Sequence, residues 1–151
     1  MDECDINILN LLQSNSRITM SDIGHQVNLS IPAVSDRLKK LESTGIIDRY
    51  TAILNSTLMK KNLTAIMFIS LAQPKYNIKF TEFVMAEDEI LECNYLAGDY
   101  DFALKIVTEG TATLENLLNK IKSIQGVQKT KTIVVLSTIK NNYSVKPGTC
   151  V

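Results

Sequence analysis

Between Asn28 and Tyr50 the chain reads NLSIPAVSDRLKKLESTGIIDRY, with its small residues ahead of its cations. Ser30, Pro32, Ala33 and Ser35 lead the segment, and Asp36, Arg37, Lys39 and Lys40 follow directly. On a helix, that order suits one kind of chemistry. Short side chains let the first turn approach a groove closely, and the ammonium and guanidinium groups behind them reach phosphate oxygens. At about 100° per residue, Val34, Leu38 and Leu41 form one buried stripe. Pro32, Asp36 and Lys39 then lie opposite, with Ala33, Arg37 and Lys40 on one flank and Ser35 on the other. A solvated basic helix face has the same pattern, so these residues alone leave both readings open.

No second constellation suggests catalysis or a resident metal. His25 is the only histidine and reads as an exposed helix residue. Cys4, Cys93 and Cys150 are scattered without metal-ligand spacing, and Cys93 sits in a strand pattern as core filler with no base beside it. The chain is therefore expected to be no enzyme and to carry no cofactor. Met1-Asp2-Glu3-Cys4-Asp5 is acidic and lacks the basic-then-apolar order of a secretion signal, and no apolar run approaches a membrane span. A soluble, cytoplasmic, nucleoid-associated protein with no membrane partner is the expectation.

The charge balance limits how such a protein holds a polyanion. Sixteen Lys and Arg balance sixteen Asp and Glu, so no global field draws the chain to nucleic acid. Residues 1–50 carry five cations against seven carboxylates. One copy should bind duplex DNA weakly, and several copies must act together.

The elements that position these residues follow from local pattern. Ile6, Ile8, Leu9, Leu11 and Leu12 mark a helix from Asp2 to Gln13, with Asp2 and Asp5 favoured at its N-terminus by unpaired amides. Thr19, with Asp22 three residues on, opens a short second helix running to about Gln26. Asn28 suits a left-handed turn, Ser30 caps the next helix, and Pro32 fits its first turn. Gly45 ends that helix, and the alternating Ile46–Thr51 reads as a wing strand. Helix, short helix, tight turn and helix is helix-turn-helix order.

Residues 53–63 read as a linker and 141–151 as a flexible tail, with a DNA-binding domain over 1–52 and an α/β domain over 64–140. Strands are expected at Ala65–Leu71, Ile90–Ala97, Phe102–Thr108 and Val127–Ile139. Helices are marked by Tyr76, Phe80, Phe83 and Val84, and by Leu114, Leu117, Leu118 and Ile121. The order β-α-β-β-α-β is that of a ferredoxin-like split βαβ unit, giving an α+β chain overall. Lys129 and Lys131 read as solvated edge charges, and Tyr95 and Tyr100 as packing or pocket residues. The apolar runs AIMFI and IVVL are continuous, as in strands covered on both faces. Two helices cover one face of a four-stranded sheet, so a second copy is expected on the other, giving a homodimer.

In this setting the chain resembles the Lrp/AsnC family of transcription regulators. The likeness is carried by Asp5-Ile6-x-Ile8-Leu9, Ser16-Arg17-Ile18, Asn28-Leu29-Ser30, Arg37-Leu38-x-x-Leu41-Glu42, Gly45-Ile46-Ile47 and Gly98-Asp99-Tyr100-Asp101. The resemblance implies a winged helix-turn-helix that binds double-stranded DNA, followed by an effector-binding domain that pairs through its sheet and assembles into tetramers or octamers. It also implies a small amino acid bound between dimers beside Ala97, Gly98, Tyr100 and Asp101. Asp101 would pair the α-ammonium, and Gly98 would admit the carboxylate to backbone N–H groups. Three positions depart from the family pattern: Asn28 replaces a turn glycine, Asn62 a linker glycine, and Ala97 a hydroxyl residue. Two other functions stay open: a ligand-independent protein that wraps DNA, and an amino-acid sensor acting on a protein partner.

Overall fold

The computed structural model describes residues 1–148, and Cys150 lies outside the described residues. The chain forms two compact units. One is Met1–Ile53 with the chain from Lys140 onward, and the other is Leu54–Ile139.

In the first unit three helices pack around one small core: α1 (Glu3–Ser14), α2 (Met20–Val27) and α3 (Ile31–Ser43). α1 is capped reciprocally, because Asp2 accepts the Asp5 N–H at 2.9 Å and Asp5 accepts the Asp2 N–H at 3.1 Å. Thr19 Oγ1 accepts the Asp22 N–H at the head of α2, and its hydroxyl donates to the Asp22 carboxylate. Here Asp22 takes the Thr19 hydroxyl and not its backbone N–H, so the box closed at α1 is only half made at α2. Asn28 follows α2 at φ 55° and ψ 47°, the left-handed turn that Asn tolerates. Gly24 lies against that turn, where an added Cβ would sit 2.6 Å from the Leu29 carbonyl oxygen. The Val34, Leu38 and Leu41 stripe is buried against Ile8, Leu9 and Ile23.

The wing strand expected over Ile46–Thr51 is not formed. That stretch carries no strand pairing among the described residues. An alternating segment needs a second strand to complete its ladder, and the three helices supply none. It is tied down by side groups instead: Ile47 N–H donates to the Leu41 carbonyl, and Tyr50 Oη donates to Glu42 at 3.0 Å. Burial first, and then Glu42, pushes the Tyr50 hydroxyl up to about 12. Near the chain's end, Gln13 Nε2 donates to the Val145 carbonyl at 2.6 Å and to Ser144 Oγ at 3.1 Å.

The second unit holds β1 (Leu63–Leu71), a short 3-10 turn (Pro74–Tyr76), α4 (Asn77–Ala86), β2 (Ile90–Tyr95), β3 (Phe102–Thr108), α5 (Thr111–Lys122) and β4 (Val127–Val135). The strands form one antiparallel sheet in the order β2-β3-β1-β4. This is the expected βαββαβ arrangement. Ala65, Met67, Ile69 and Leu71 point into a core with Phe102, Leu104 and Ile106, covered by Phe80, Val84, Leu114, Leu117 and Ile121 of the helices. β2 and β4 end sooner than the hydrophobic pattern suggests. Pairing stops where partners stop, at Tyr95↔Phe102 and at Thr64↔Val135.

The other face of the sheet is open in this chain. Ile66 is 38% exposed and Ile133, its partner in register, 43%. The continuous apolar run AIMFI thus divides into residues packed under the helices and residues left facing out.

Candidate nucleic-acid interface and effector loop

The head of α3 presents the small residues expected to approach a groove. Ser30 and Pro32 are exposed, and Ala33 and Ser35 are half-buried. Ser30 Oγ accepts the Ala33 N–H at 3.4 Å, fixing the first turn. Asp36, Lys39 and Lys40 are exposed and form no ion pair among the described residues. Ile31 is 52% exposed beside them, although it does not figure among the residues expected from the sequence. Its apolar character and its place outside the buried stripe were the available signal, since an apolar group at a helix head suits a thymine methyl.

Arg37 is placed differently from the two lysines. Its Nη1 donates to Asp2 Oδ2 at 2.7 Å, to Asp2 Oδ1 at 2.9 Å and to Asp5 Oδ1 at 2.7 Å. The cation expected to reach DNA phosphate is thus held by the carboxylates that cap α1. Asp5 is 6% exposed, and a buried carboxylate requires such a partner. The Asp5 N–H and then Arg37 hold the Asp2 carboxyl below its ordinary value, while Asp2 and Asp5 raise the guanidinium further still. Met1, Asp2, Asp5, Asp36, Arg37 and Lys40 line an open depression of about 380 Å³ beside this cluster. No one-dimensional pattern links residues 2 and 5 to residue 37; only the packing of α1 on α3 does.

In the second unit, β2 and β3 are joined by the loop through Ala97, Gly98, Asp99, Tyr100 and Asp101, closed by the Leu96 N–H on the Asp101 carbonyl at 2.8 Å. Ala97, Gly98 and Asp99 are exposed, and Tyr100 and Asp101 half-buried. Asp101 anchors the loop to β1. Its N–H donates to the Ile69 carbonyl at 2.9 Å, and its Oδ2 accepts the Leu71 N–H at 2.7 Å. One oxygen of the carboxylate expected to pair an ammonium is therefore already engaged. Tyr100 packs its ring on Phe68, with centroids 5.5 Å apart, and Lys129 Nζ lies 5.3 Å over the same ring. Lys129, expected as a solvated edge charge, thus makes a cation–π contact as well. Gly98 is not in the left-handed region, and a Cβ added there would meet nothing within 4 Å.

Elsewhere, His25 is exposed, and the half-buried Cys93 has its thiol pushed up by burial, away from nucleophilic character. Among the described residues no group of three His, Cys, Asp or Glu is placed to hold a metal. Nor is any helix long and apolar enough to cross a membrane.

Comparison with known proteins addresses both units. Residues 1–48 match the family described as winged helix-turn-helix DNA-binding, and residues 64–145 match the Lrp/AsnC ligand binding domain. The leucine-responsive regulatory protein of Haemophilus influenzae is 36% identical over 143 residues, covering 93% of this chain and 86% of its own. A Neisseria meningitidis transcriptional regulator, solved as its L-Met complex, superposes with a TM-score of 0.91 at 31% identity, covering 96% of each chain. E. coli AsnC superposes with a TM-score of 0.90 at 25% identity, covering 97% of this chain and 99% of that one.

Proposed function

The chain belongs to the Lrp/AsnC family of DNA-binding transcriptional regulators, which are not enzymes, and we propose that it reads duplex DNA through the head of α3 under the control of a small amino acid. Residues 1–52 serve as the DNA-binding domain, 53–63 as linker and 64–140 as the effector-binding and pairing domain. Ser30, Pro32, Ala33 and Ser35 lie nearest the groove, and Lys39 and Lys40 neutralise phosphates. The exposure of both lysines, with no ion partner among the described residues, is the observation that carries this reading.

The open sheet face, with Ile66 and Ile133 outward, favours a homodimer through the sheets, assembling further into a tetramer or octamer. Pairing also brings together the several DNA-binding units that a net-acidic domain needs. The effector is placed beside Gly98 to Asp101, at a site shared between subunits. The L-Met complex of the Neisseria relative favours an amino acid as the chemical class. Such a regulator works in the cytoplasm, at the nucleoid.

The test is duplex binding by anisotropy across a salt series, repeated with each of the twenty amino acids, alongside calorimetry of the protein with the same panel. Duplex affinity that falls with salt and shifts with one amino acid supports the whole reading. A second reading, a ligand-independent DNA-wrapping protein, is favoured by Ala97, which offers no hydroxyl, and by the engaged Asp101 carboxylate. Salt-dependent DNA binding with no heat from any amino acid would select it.

A further inference from the structure

We infer that the Asp2 carboxylate occupies a phosphate subsite on Arg37, so that the chain's own N-terminal cap competes with the DNA backbone for this guanidinium. The inference deepens the DNA-binding reading and rests on it. All three contacts from Asp2 and Asp5 fall on Nη1. A guanidinium offers five N–H donors, and the Nε and Nη2 groups have no partner among the described residues. Nε and Nη2 alone can meet a phosphodiester oxygen, but the guanidinium charge is already answered, so a full phosphate contact requires Asp2 to release Nη1. Its side chain is 32% exposed, in line with access from solvent.

The two carboxylates have different parts. Asp5 has an 8% exposed side chain and cannot give up its cation without leaving a buried charge alone, so it keeps Arg37 in place. Asp2 has a 55% exposed side chain and is the partner that can be displaced. The depression beside them is lined by three carboxylates, Asp2, Asp5 and Asp36, against Arg37 and Lys40. An incoming phosphate is repelled there until Asp2 turns away. Asp2 thus lowers the affinity of each subunit for any duplex, without reading sequence.

Asp2→Asn tests this, because Asn caps a helix as well as Asp does while the charge and one of the two oxygens that hold Nη1 are lost. Glu3→Gln is the matched control, as it removes the same charge one residue along the same helix without touching Arg37. Expected is several-fold tighter duplex binding by Asp2→Asn at low salt. The slope of log affinity against log salt should steepen by about one for each subunit engaged. Asp2→Ser, which also keeps a capping oxygen, should move both quantities the same way. If Asp2→Asn and Asp2→Ser match Glu3→Gln in affinity and slope, the subsite is overturned while the DNA-binding reading stands. If the parent binds no duplex at any salt, that reading fails, and the subsite with it.

Discussion

Asp101 accepts the Leu71 backbone N–H through its side chain at 2.7 Å, so the residue expected to meet a ligand's ammonium is also the pin between the β2–β3 loop and β1. Removing it changes two things at once. Asp101→Ala should cost about 1–3 kcal/mol of stability, the price of a partly buried N–H left unpaired. Asp101→Asn keeps a carbonyl acceptor for Leu71 and removes only the charge. The expected outcome is near-parental melting with loss of amino-acid heat in calorimetry. Unchanged ligand heat in Asp101→Asn would show that the carboxylate does not pair the ammonium.

Gly98 offers the complementary test. A Cβ there meets no atom of the described residues within 4 Å, and its backbone is not left-handed. Gly98→Val should therefore melt within about 0.5 kcal/mol of the parent, as a surface change does. If an amino acid approaches the loop at this point, its binding is lost without a folding defect. A variant that binds the effector as the parent does would place the ligand elsewhere.

On α3 the cations should separate into two kinds. Lys40→Ala leaves stability unchanged and lowers the salt slope of duplex binding by about one. Arg37→Ala leaves buried Asp5 without its charged donor and should lose about 1.5–3 kcal/mol in denaturant titration. Equal stability of both variants would mean that the Arg37 contacts do not hold α1 to α3.

The acid limb of the stability curve follows from Asp2. Its carboxyl lies below the ordinary 3.8, because it accepts the Asp5 N–H first and faces Arg37 second. The unfolded chain binds this proton at higher pH than the folded one. The contribution is therefore complete above 3.8 and is lost as pH falls through the lower folded value. Below about pH 4 the parent should lose melting temperature more steeply than Asp2→Asn. Superimposable acid limbs would contradict this.

Ile66 tests the open sheet face. Ile66→Glu places a charge there, opposite Ile133, and leaves the helix-covered core untouched. Light scattering should show a dimer for the parent and a monomer for the variant. Duplex affinity should drop about 100-fold or more as avidity is lost. A parent that is itself a stable monomer at micromolar concentration would remove the basis for pairing through this face.

What the sequence made legible was local. The Thr19 and Ser30 caps, the left-handed Asn28, and the Val34, Leu38 and Leu41 stripe each depend on residues within one or two turns. β3 was legible to its ends because β1 pairs along its whole length. What was hidden depends on distant partners. The Arg37 clamp joins residues 35 apart, and the Asp101 pin joins residues 30 apart. The wing segment shows the converse: Ile46–Thr51 alternates as a strand does, but alternation specifies a face and not a pairing partner.

The strand order β2-β3-β1-β4 also sets a timetable for synthesis. The strand made first, β1, lies inside the sheet and is synthesised before both of its neighbours, since β3 starts at Phe102 and β4 at Val127. The helical unit, apart from the returning C-terminal stretch, rests on contacts close in sequence and can close early, whereas the sheet waits for long-range pairing. Until β3 and β4 pair with it, β1 carries two unpaired hydrogen-bonding edges of the kind that other chains can join. Any pairing between sheets is then a late event, after the helical unit has closed.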